Sequence, residues 1–243
     1  MTPVNQTILE ESGQFIIYDR ELLGEPSARL FDPGDWGDRA LPHSEGRGTV
    51  WFVESVGGPW VLKSFQRGGL IGRWVKRRYV FLGYQRARMV REYLLLGQLH
   101  QMGLPVPQPV AAFAKREAGF WYSGSLITQR LENVRSLASC LSEDQLVNDH
   151  RWREIGRTIR RFHDCNVFHS DLNASNILLD DDSVYLIDFD RSQVRSGWFP
   201  SNWRRGNLKR LKRSLAKWTA NTQFDCAQSW EALCAGYENP PIS

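Results

Sequence analysis

Alternation of apolar and polar positions predicts strands in the first half of the chain and helices in the second. Residues 14–19 (QFIIYD) read as a strand. Residues 49–55 (TVWFVES) and 59–65 (PWVLKSF) alternate on either side of the VGG at 56–58, the pattern of a β-hairpin. Residues 32–38 (DPGDWGD) are turn-rich, and 40–50 (ALPHSEGRGTV) read as a loop entering that hairpin. Over 86–103 the apolar residues Val90, Leu94, Leu95 and Leu99 follow a helical period, with Gly103 and Pro105 placed to end the helix. Residues 104–131 give an extended segment, a strand, a turn and a second strand. A helix of about 15 residues, opened by an Asp or Asn cap, is expected within 142–166. Short strands follow in "VFHSD", "NILLD" and "SVYLIDF". The basic stretch 201–221 and then 224–237 read as helices. Strands first and helices after make an α+β pattern of two unequal lobes joined near residues 128–136.

Composition adds little to this picture, whereas charge distribution adds much. A chain of 243 residues with 42% hydrophobic residues can build one large domain or two lobes. No stretch of about 18 apolar residues is present, so no membrane span is expected. The N-terminal residues lack a basic start followed by an apolar run, so no signal peptide is expected. Cys140, Cys165, Cys226 and Cys234 lack metal-ligand spacing and read as reduced core thiols of a cytoplasmic protein. The net charge is only +4, yet Lys63 to Arg91 holds nine Lys/Arg and no acid, as does Arg191 to Lys217. The remainder has 13 basic residues against 27 acidic ones. Such segregation predicts a basic surface facing an anionic partner. The bland reading is a set of solvated helix faces paired with acids elsewhere in the fold.

The stretch 167–192, VFHSDLNASNILLDDDSVYLIDFDRS, carries the chemistry. Phosphoryl transfer from a nucleotide needs a carboxylate to orient the accepting hydroxyl, oxygen ligands for Mg²⁺, a cation on the phosphates and a backbone-lined loop over them. Asp171 stands five residues before Asn176, which lets the acid face substrate while the amide oxygen reaches a metal. Asp188, at the end of the apolar run VYLID, supplies a second hard oxygen ligand. Asp180, Asp181 and Asp182 read as turn residues.

HSDLNASN resembles the HRDLxxxxN catalytic loop of protein kinases, with Ser170 in place of Arg. IDFD resembles the DFG segment, with Asp190 in place of Gly. The resemblance implies the upstream parts in order. EGRGTVWFV (45–53) looks like a short phosphate loop through Gly46 and Gly48. Lys63 stands where the phosphate-binding lysine lies, and Glu92, early in the next helix, is placed to pair with it. His169 reads as a packing and hydrogen-bonding residue beneath the loop. Residues 125–132 would be the connector whose backbone binds adenine. The fold implied is a bilobal protein-kinase-like one: residues 1–130 form an N-terminal nucleotide-binding lobe with an antiparallel sheet and one helix. Residues 131–243 form a reduced, mainly helical catalytic lobe with a basic tail.

No APE motif follows Asp190, and only about 50 residues remain, too few for the platform that holds a protein substrate. The acceptor is therefore expected to be a small molecule or a lipid-linked sugar. Trp74, Tyr79, Phe81 and Tyr84 lie among the bases of the first acid-free stretch, a mixture suited to an anionic membrane interface or to RNA. Over roughly residues 15–230 the chain closely resembles the 3-deoxy-D-manno-octulosonic acid (Kdo) kinases, of the kinase-like family acting on lipopolysaccharide core sugars. That resemblance implies ATP and Mg²⁺ as cofactors and phosphorylation of the 4-hydroxyl of Kdo on lipid IVA. It also implies a peripheral position at the cytoplasmic face of the bacterial inner membrane, with an anionic membrane surface and no nucleic acid as partner. A small atypical protein or RNA-associated kinase, and a kinase-like binding module without chemistry, are the competing readings.

Overall fold

The computed structural model describes residues 6–45, 48–65, 79–117, 121–143, 147–195, 202–219 and 226–239. The chain forms two compact units: Met1–Gln98 with Pro107–Arg130, and Leu99–Val106 with Leu131–Ser243.

The first unit is an antiparallel sheet with one helix. Its strands are β1 (Gln6–Glu11), β2 (Gln14–Asp19), β3 (Ala40–Glu45), β4 (Gly48–Ser55), β5 (Gly58–Ser64), β6 (Tyr79–Val80), β7 (Pro109–Arg116) and β8 (Trp121–Gln129). They run in the order β1-β2-β7-β8-β5-β4-β3, with β6 beside β8. Alternation along β5 sends Trp60 and Leu62 into a cluster with Ile16, Phe31, Trp36, Val53 and Ile127. Phe31 and Trp36 come from two short 3₁₀ turns, Ala28–Phe31 and Pro33–Arg39, the latter capped by the Asp32 carboxylate on the Gly34 N–H at 2.9 Å. Lys63, between Leu62 and Ser64, faces the opposite way, toward helix α1 (Arg88–Gln101). On that face Met89 of α1 presses on Gly124, where a Cβ would also stand 2.0 Å from the Phe113 carbonyl oxygen. Besides the two-residue β6, two strands depart from the sequence reading. β1 pairs with β2 through a turn at Ser12 and Gly13, both at positive φ (49° and 79°). Residues 40–45, expected to be a loop, pair with β4 as β3. β3 is the last strand of the sheet, and an edge strand tolerates Pro42, which lacks an N–H to donate.

The second unit is mainly helical. It contains α2 (Leu137–Ser142), α3 (Asp149–Asp164), α4 (Asn202–Thr219) and α5 (Cys226–Glu238). Its strands are short: β9 (Arg135–Ser136), β10 (Val167–Phe168), β11 (Ile177–Leu179), β12 (Val184–Leu186) and β13 (Gln193–Val194). They form the sheets β12-β11-β9 and β10-β13. Asn148 caps α3, its side chain accepting from the Arg151 N–H at 2.9 Å. Trp152, Ile155, Ile159 and Phe162 of α3 are buried at helical spacing. α5 crosses α3 so closely that a Cβ on Gly156 would lie 2.0 Å from the Leu233 oxygen, and one on Gly236 2.1 Å from the Arg153 oxygen. The segment after α1 is stitched to this unit by Leu186 N–H to the Pro105 oxygen (3.1 Å) and Arg161 Nη2 to the Gly103 oxygen (2.9 Å). Gly103 ends the helix at φ 68°. All four cysteines are free thiols, with only Cys140 buried. Among the described residues no helix is long and apolar enough to cross a membrane.

Candidate active site

Residues 169–176 form a loop held to the segment 187–192 by four hydrogen bonds. His169, 2% exposed, directs Nε2 to the Ile187 carbonyl oxygen at 3.0 Å and accepts the Asp171 N–H on Nδ1 at 3.2 Å. Those two bonds together place the imidazole proton on Nε2. Ser170 donates its hydroxyl to the Asp190 oxygen at 2.5 Å, and its N–H donates to Ser192 Oγ at 3.0 Å. The Ile187 N–H donates to the Asn176 oxygen at 3.1 Å. Here a serine ties the loop to the acidic segment with a side chain too short to reach outward. The carbonyl of Asp171 accepts the Asn176 side-chain N–H at 2.9 Å. That bond fixes the amide's rotation and turns its oxygen away from Asp171. Asn173 closes the turn by accepting the Ser175 and Asn176 N–H groups at 2.9 and 3.2 Å.

Asp188 sits in the left-handed region at φ 60°, a conformation that costs a non-glycine residue about 1 kcal/mol. Its neighbours impose it. Ile187 is bonded at both its N–H and its carbonyl, and Phe189 is fully buried, stacked on Phe162 at 5.8 Å and tilted against His169 at 4.7 Å. The backbone must turn sharply between a pinned residue and a core residue, and the turn leaves Asp188 exposed.

Helix α4 supports the loop from one face, at spacings of three and four residues. Asn207, 2% exposed, accepts the His169 N–H at 3.3 Å and donates to the His169 carbonyl at 2.8 Å. Ser214 accepts the Ala174 N–H at 3.1 Å. Between them Arg210 places Nη1 3.4 Å from Asp171 Oδ1. Behind Asn207 lies His163, bonded through Nδ1 to the Tyr237 hydroxyl at 2.7 Å. Burial lowers the His163 pKa to about 4, against a smaller raising effect of Asn207, so the ring is neutral at pH 7.

In the first unit, Lys63 Nζ lies 3.0 Å from both carboxylate oxygens of Glu92. Glu92 is 3% exposed, and Lys63 keeps 26% of its side chain exposed. β5 presents the lysine because its strand partners Val50 and Leu126 hold the register, and α1 presents Glu92 on the same buried side as Met89 and Tyr93. Gly46 lies outside the described residues, and Gly48 opens β4. Of the first acid-free stretch, 66–78 also lies outside them, Trp74, Arg77 and Arg78 included. Tyr84 stacks on Phe15 at 5.2 Å, and Phe81 meets Tyr84 edge-on at 4.8 Å. These two rings therefore contribute to packing within the first unit.

The description "Lipopolysaccharide kinase (Kdo/WaaP) family" belongs to a family model that matches residues 36–237. The chain belongs to the lipopolysaccharide kinase (Kdo/WaaP) family. Members of a kinase family are phosphotransferases and take ATP as phosphoryl donor. The chain is 40% identical over 232 residues to the 3-deoxy-D-manno-octulosonic acid kinase of Photobacterium profundum, covering 93% of this chain and 96% of that one. It is 36% identical over 232 residues to the enzyme of the same name from Vibrio cholerae, with 94% and 97% covered. It is 43% identical over 226 residues to that of Xanthomonas campestris, with 92% and 89% covered. Among solved structures its fold is similar to that of WaaP in complex with acyl carrier protein. The TM-score is 0.56 and the identity 18%, over 90% of this chain and 88% of the other. The fold is thus α+β and protein-kinase-like, as its antiparallel sheet and mainly helical second unit already suggest.

Within this lipopolysaccharide kinase, the second unit brings Asp171, Asn176 and the backbone leading to Asp188 into one hydrogen-bonded assembly, and the first unit joins Lys63 to Glu92. Asn176 and Asp188 offer an amide oxygen and a carboxylate, the hard donors that Mg²⁺ takes. Among the described residues no three His, Cys, Asp or Glu side chains gather into a metal cage. Magnesium needs none, since it keeps several waters and accepts one or two protein oxygens. Sequence reasoning missed Asn207, Arg210 and Ser214. Their only signal was the spacing 207, 210, 214 along a predicted helix, and of the three only Asn207 stands among the buried residues of that helix.

Proposed function

We propose that this kinase transfers the γ-phosphoryl group of Mg·ATP to the 4-hydroxyl of the Kdo residue on Kdo-lipid IVA. The observation that carries the reading is the exposed Asp171 carboxylate on a loop whose backbone is held by partly buried hydrogen bonds at His169 and Asn176. The names of the relatives, 3-deoxy-D-manno-octulosonic acid kinases, supply the acceptor.

In this reading residues 1–130 serve as the nucleotide-binding lobe and 131–243 as the catalytic lobe. Asp171 accepts a hydrogen bond from the sugar hydroxyl and takes its proton as the oxygen attacks the γ-phosphorus. A new O–P bond forms, the bond to the bridging oxygen breaks, and ADP leaves with that electron pair. Lys63 binds the phosphates, and Glu92 keeps the ammonium from swinging away. Gly46 and Gly48 would cover the phosphates with backbone N–H groups, and residues 125–132 would contact adenine. Asn176 and Asp188 would hold Mg²⁺, which when bound neutralises charge on the phosphates. The pinned amide of Asn176 and the left-handed turn at Asp188 pre-set those two donors without a conformational search. The basic stretches 63–91 and 191–217 bind the anionic lipid head and the cytoplasmic face of the inner membrane, where the protein sits peripherally. Each Lys/Arg near such a surface is worth about 1 kcal/mol.

The test is mass spectrometry of Kdo-lipid IVA after incubation with the protein, ATP and Mg²⁺, with NMR of the product. A gain of one phosphate at O4 is expected, and Asp171→Asn should remove it by roughly a hundredfold or more while the protein melts as wild type. No gain of phosphate, or phosphate at another oxygen, refutes the assignment. Undiminished transfer by the Asp171 variant removes that residue from its role.

A further inference from the structure

The loop 169–176 contains no Lys or Arg, yet an octulosonic acid carries a carboxylate on C2, two ring carbons from the reacting 4-hydroxyl. That carboxylate must be accepted next to Asp171 and a triphosphate, both negative. We propose that Arg210 is the acceptor-recognition residue: its guanidinium pairs with the sugar carboxylate while Asp171 takes the proton of the hydroxyl. The inference rests on the reading of the acceptor as an octulosonic acid.

Three observations carry it. First, Arg210 Nη1 is 3.4 Å from Asp171 Oδ1, so a group bound by Arg210 is delivered to the proton acceptor. Second, the stem of Arg210 is fixed. Asn207 and Ser214, one turn away on either side of the same helix face, are both bonded to the loop backbone. The helix therefore cannot slide relative to Asp171 without breaking buried bonds. Third, the ion pair itself has little structural purpose. Both side chains are about half exposed (46% and 58%), and such pairs contribute little to stability. A positioned cation that the fold does not need, beside the group that orients the acceptor, is suited to an anionic ligand. The planar guanidinium fork matches a carboxylate with two parallel hydrogen bonds, which an ammonium cannot do. The long 3.4 Å contact to Asp171 is readily exchanged for a shorter one to substrate.

The experiment compares Kdo-lipid IVA with its Kdo methyl ester as acceptors for wild type, Arg210→Gln and Arg210→Lys, measuring kcat and KM for acceptor and for ATP. Wild type should prefer the free acid. Arg210→Gln should raise KM for the acid roughly tenfold or more, leave KM for ATP unchanged and abolish the preference for acid over ester. Arg210→Lys should restore the preference in part. Loss of turnover by the same factor for acid and ester would overturn the proposal, since Arg210 would then act on the phosphoryl group or on Asp171. An unchanged preference in Arg210→Gln would overturn it as well. Failure of the wild type to phosphorylate either acceptor would refute the acceptor itself and this inference with it. Wild-type activity combined with an unchanged preference sinks only the role of Arg210.

Discussion

Asn207→Leu should loosen the loop 169–176 at a point two residues from Asp171. The change keeps the side chain's approximate size, so little cavity is created. It strips two buried backbone groups of their partner: the His169 carbonyl, bonded at 2.8 Å, and the His169 N–H, bonded at 3.3 Å. A buried polar group left without a partner costs about 1–3 kcal/mol. The longer bond belongs at the low end, so the pair amounts to about 2–4 kcal/mol of lost stability. Urea unfolding at 25 °C, followed by circular dichroism, should show a lower midpoint with an unchanged slope. Phosphotransfer should fall roughly a hundredfold, because the backbone that sets Asp171 can move by a fraction of an ångström to an ångström. Lys209→Ala, on the exposed side of the same helix, is the control and should stay within about 0.5 kcal/mol of wild type. If Asn207→Leu matched that control in both stability and activity, the loop would not depend on α4 and the account of the site's rigidity would fail.

Glu92→Gln retains shape but removes the charge 3.0 Å from Lys63, so KM for ATP should rise about tenfold, and an unchanged KM would detach the pair from the nucleotide. Gly156→Ala should cost about 2 kcal/mol or more, because its Cβ would stand 2.0 Å from the Leu233 oxygen and α3 and α5 would have to separate. Gly206→Ala, with no atom within 4 Å of the new Cβ and a helical position in α4, should instead gain about 0.5–1 kcal/mol; thermal melts of the two variants check both signs. His163 has a folded pKa of about 4 against an ordinary 6.5, so the unfolded chain binds more protons between those values. Stability should be full above pH 6.5 and fall by up to about 3 kcal/mol as the pH drops toward 4. Denaturation midpoints across pH 4–7 should therefore slope less steeply for His163→Gln, and parallel slopes would refute the assignment.

Much of this protein is legible along the chain. The hairpin β4–β5 and helices α1 and α3 follow from alternation, helical period and caps such as Asn148, and the two C-terminal helices follow from their residue pattern. The spacing of Asp171, Asn176 and Asp188 within one short segment is also visible along the chain, and their part in phosphoryl transfer is the proposal made above. β1 and β3 are not legible, because both are edge strands. β1 is partly exposed, with Ile8 half exposed, and β3 carries Pro42, so neither shows the apolar alternation of a strand with a buried face. α2, at six residues, is too short to leave a periodic signal.

What the sequence determined by itself is local: elements whose stability comes from neighbours a few residues away, and a motif whose members share one short segment. The tertiary structure alone decided which groups from distant segments meet. His169 and Asn207 are 38 positions apart and Asp171 and Arg210 are 39, whereas Lys63 and Glu92, 29 apart, are expected to pair only from the kinase resemblance. No periodicity encodes such pairs. They arise because a strand's register, a helix's rotation and the burial of Phe189 are settled by packing, and packing is a property of the whole unit. The polar Asn207 on the buried side of α4 looks misplaced along the chain. It makes sense only against the His169 N–H and carbonyl that it bonds.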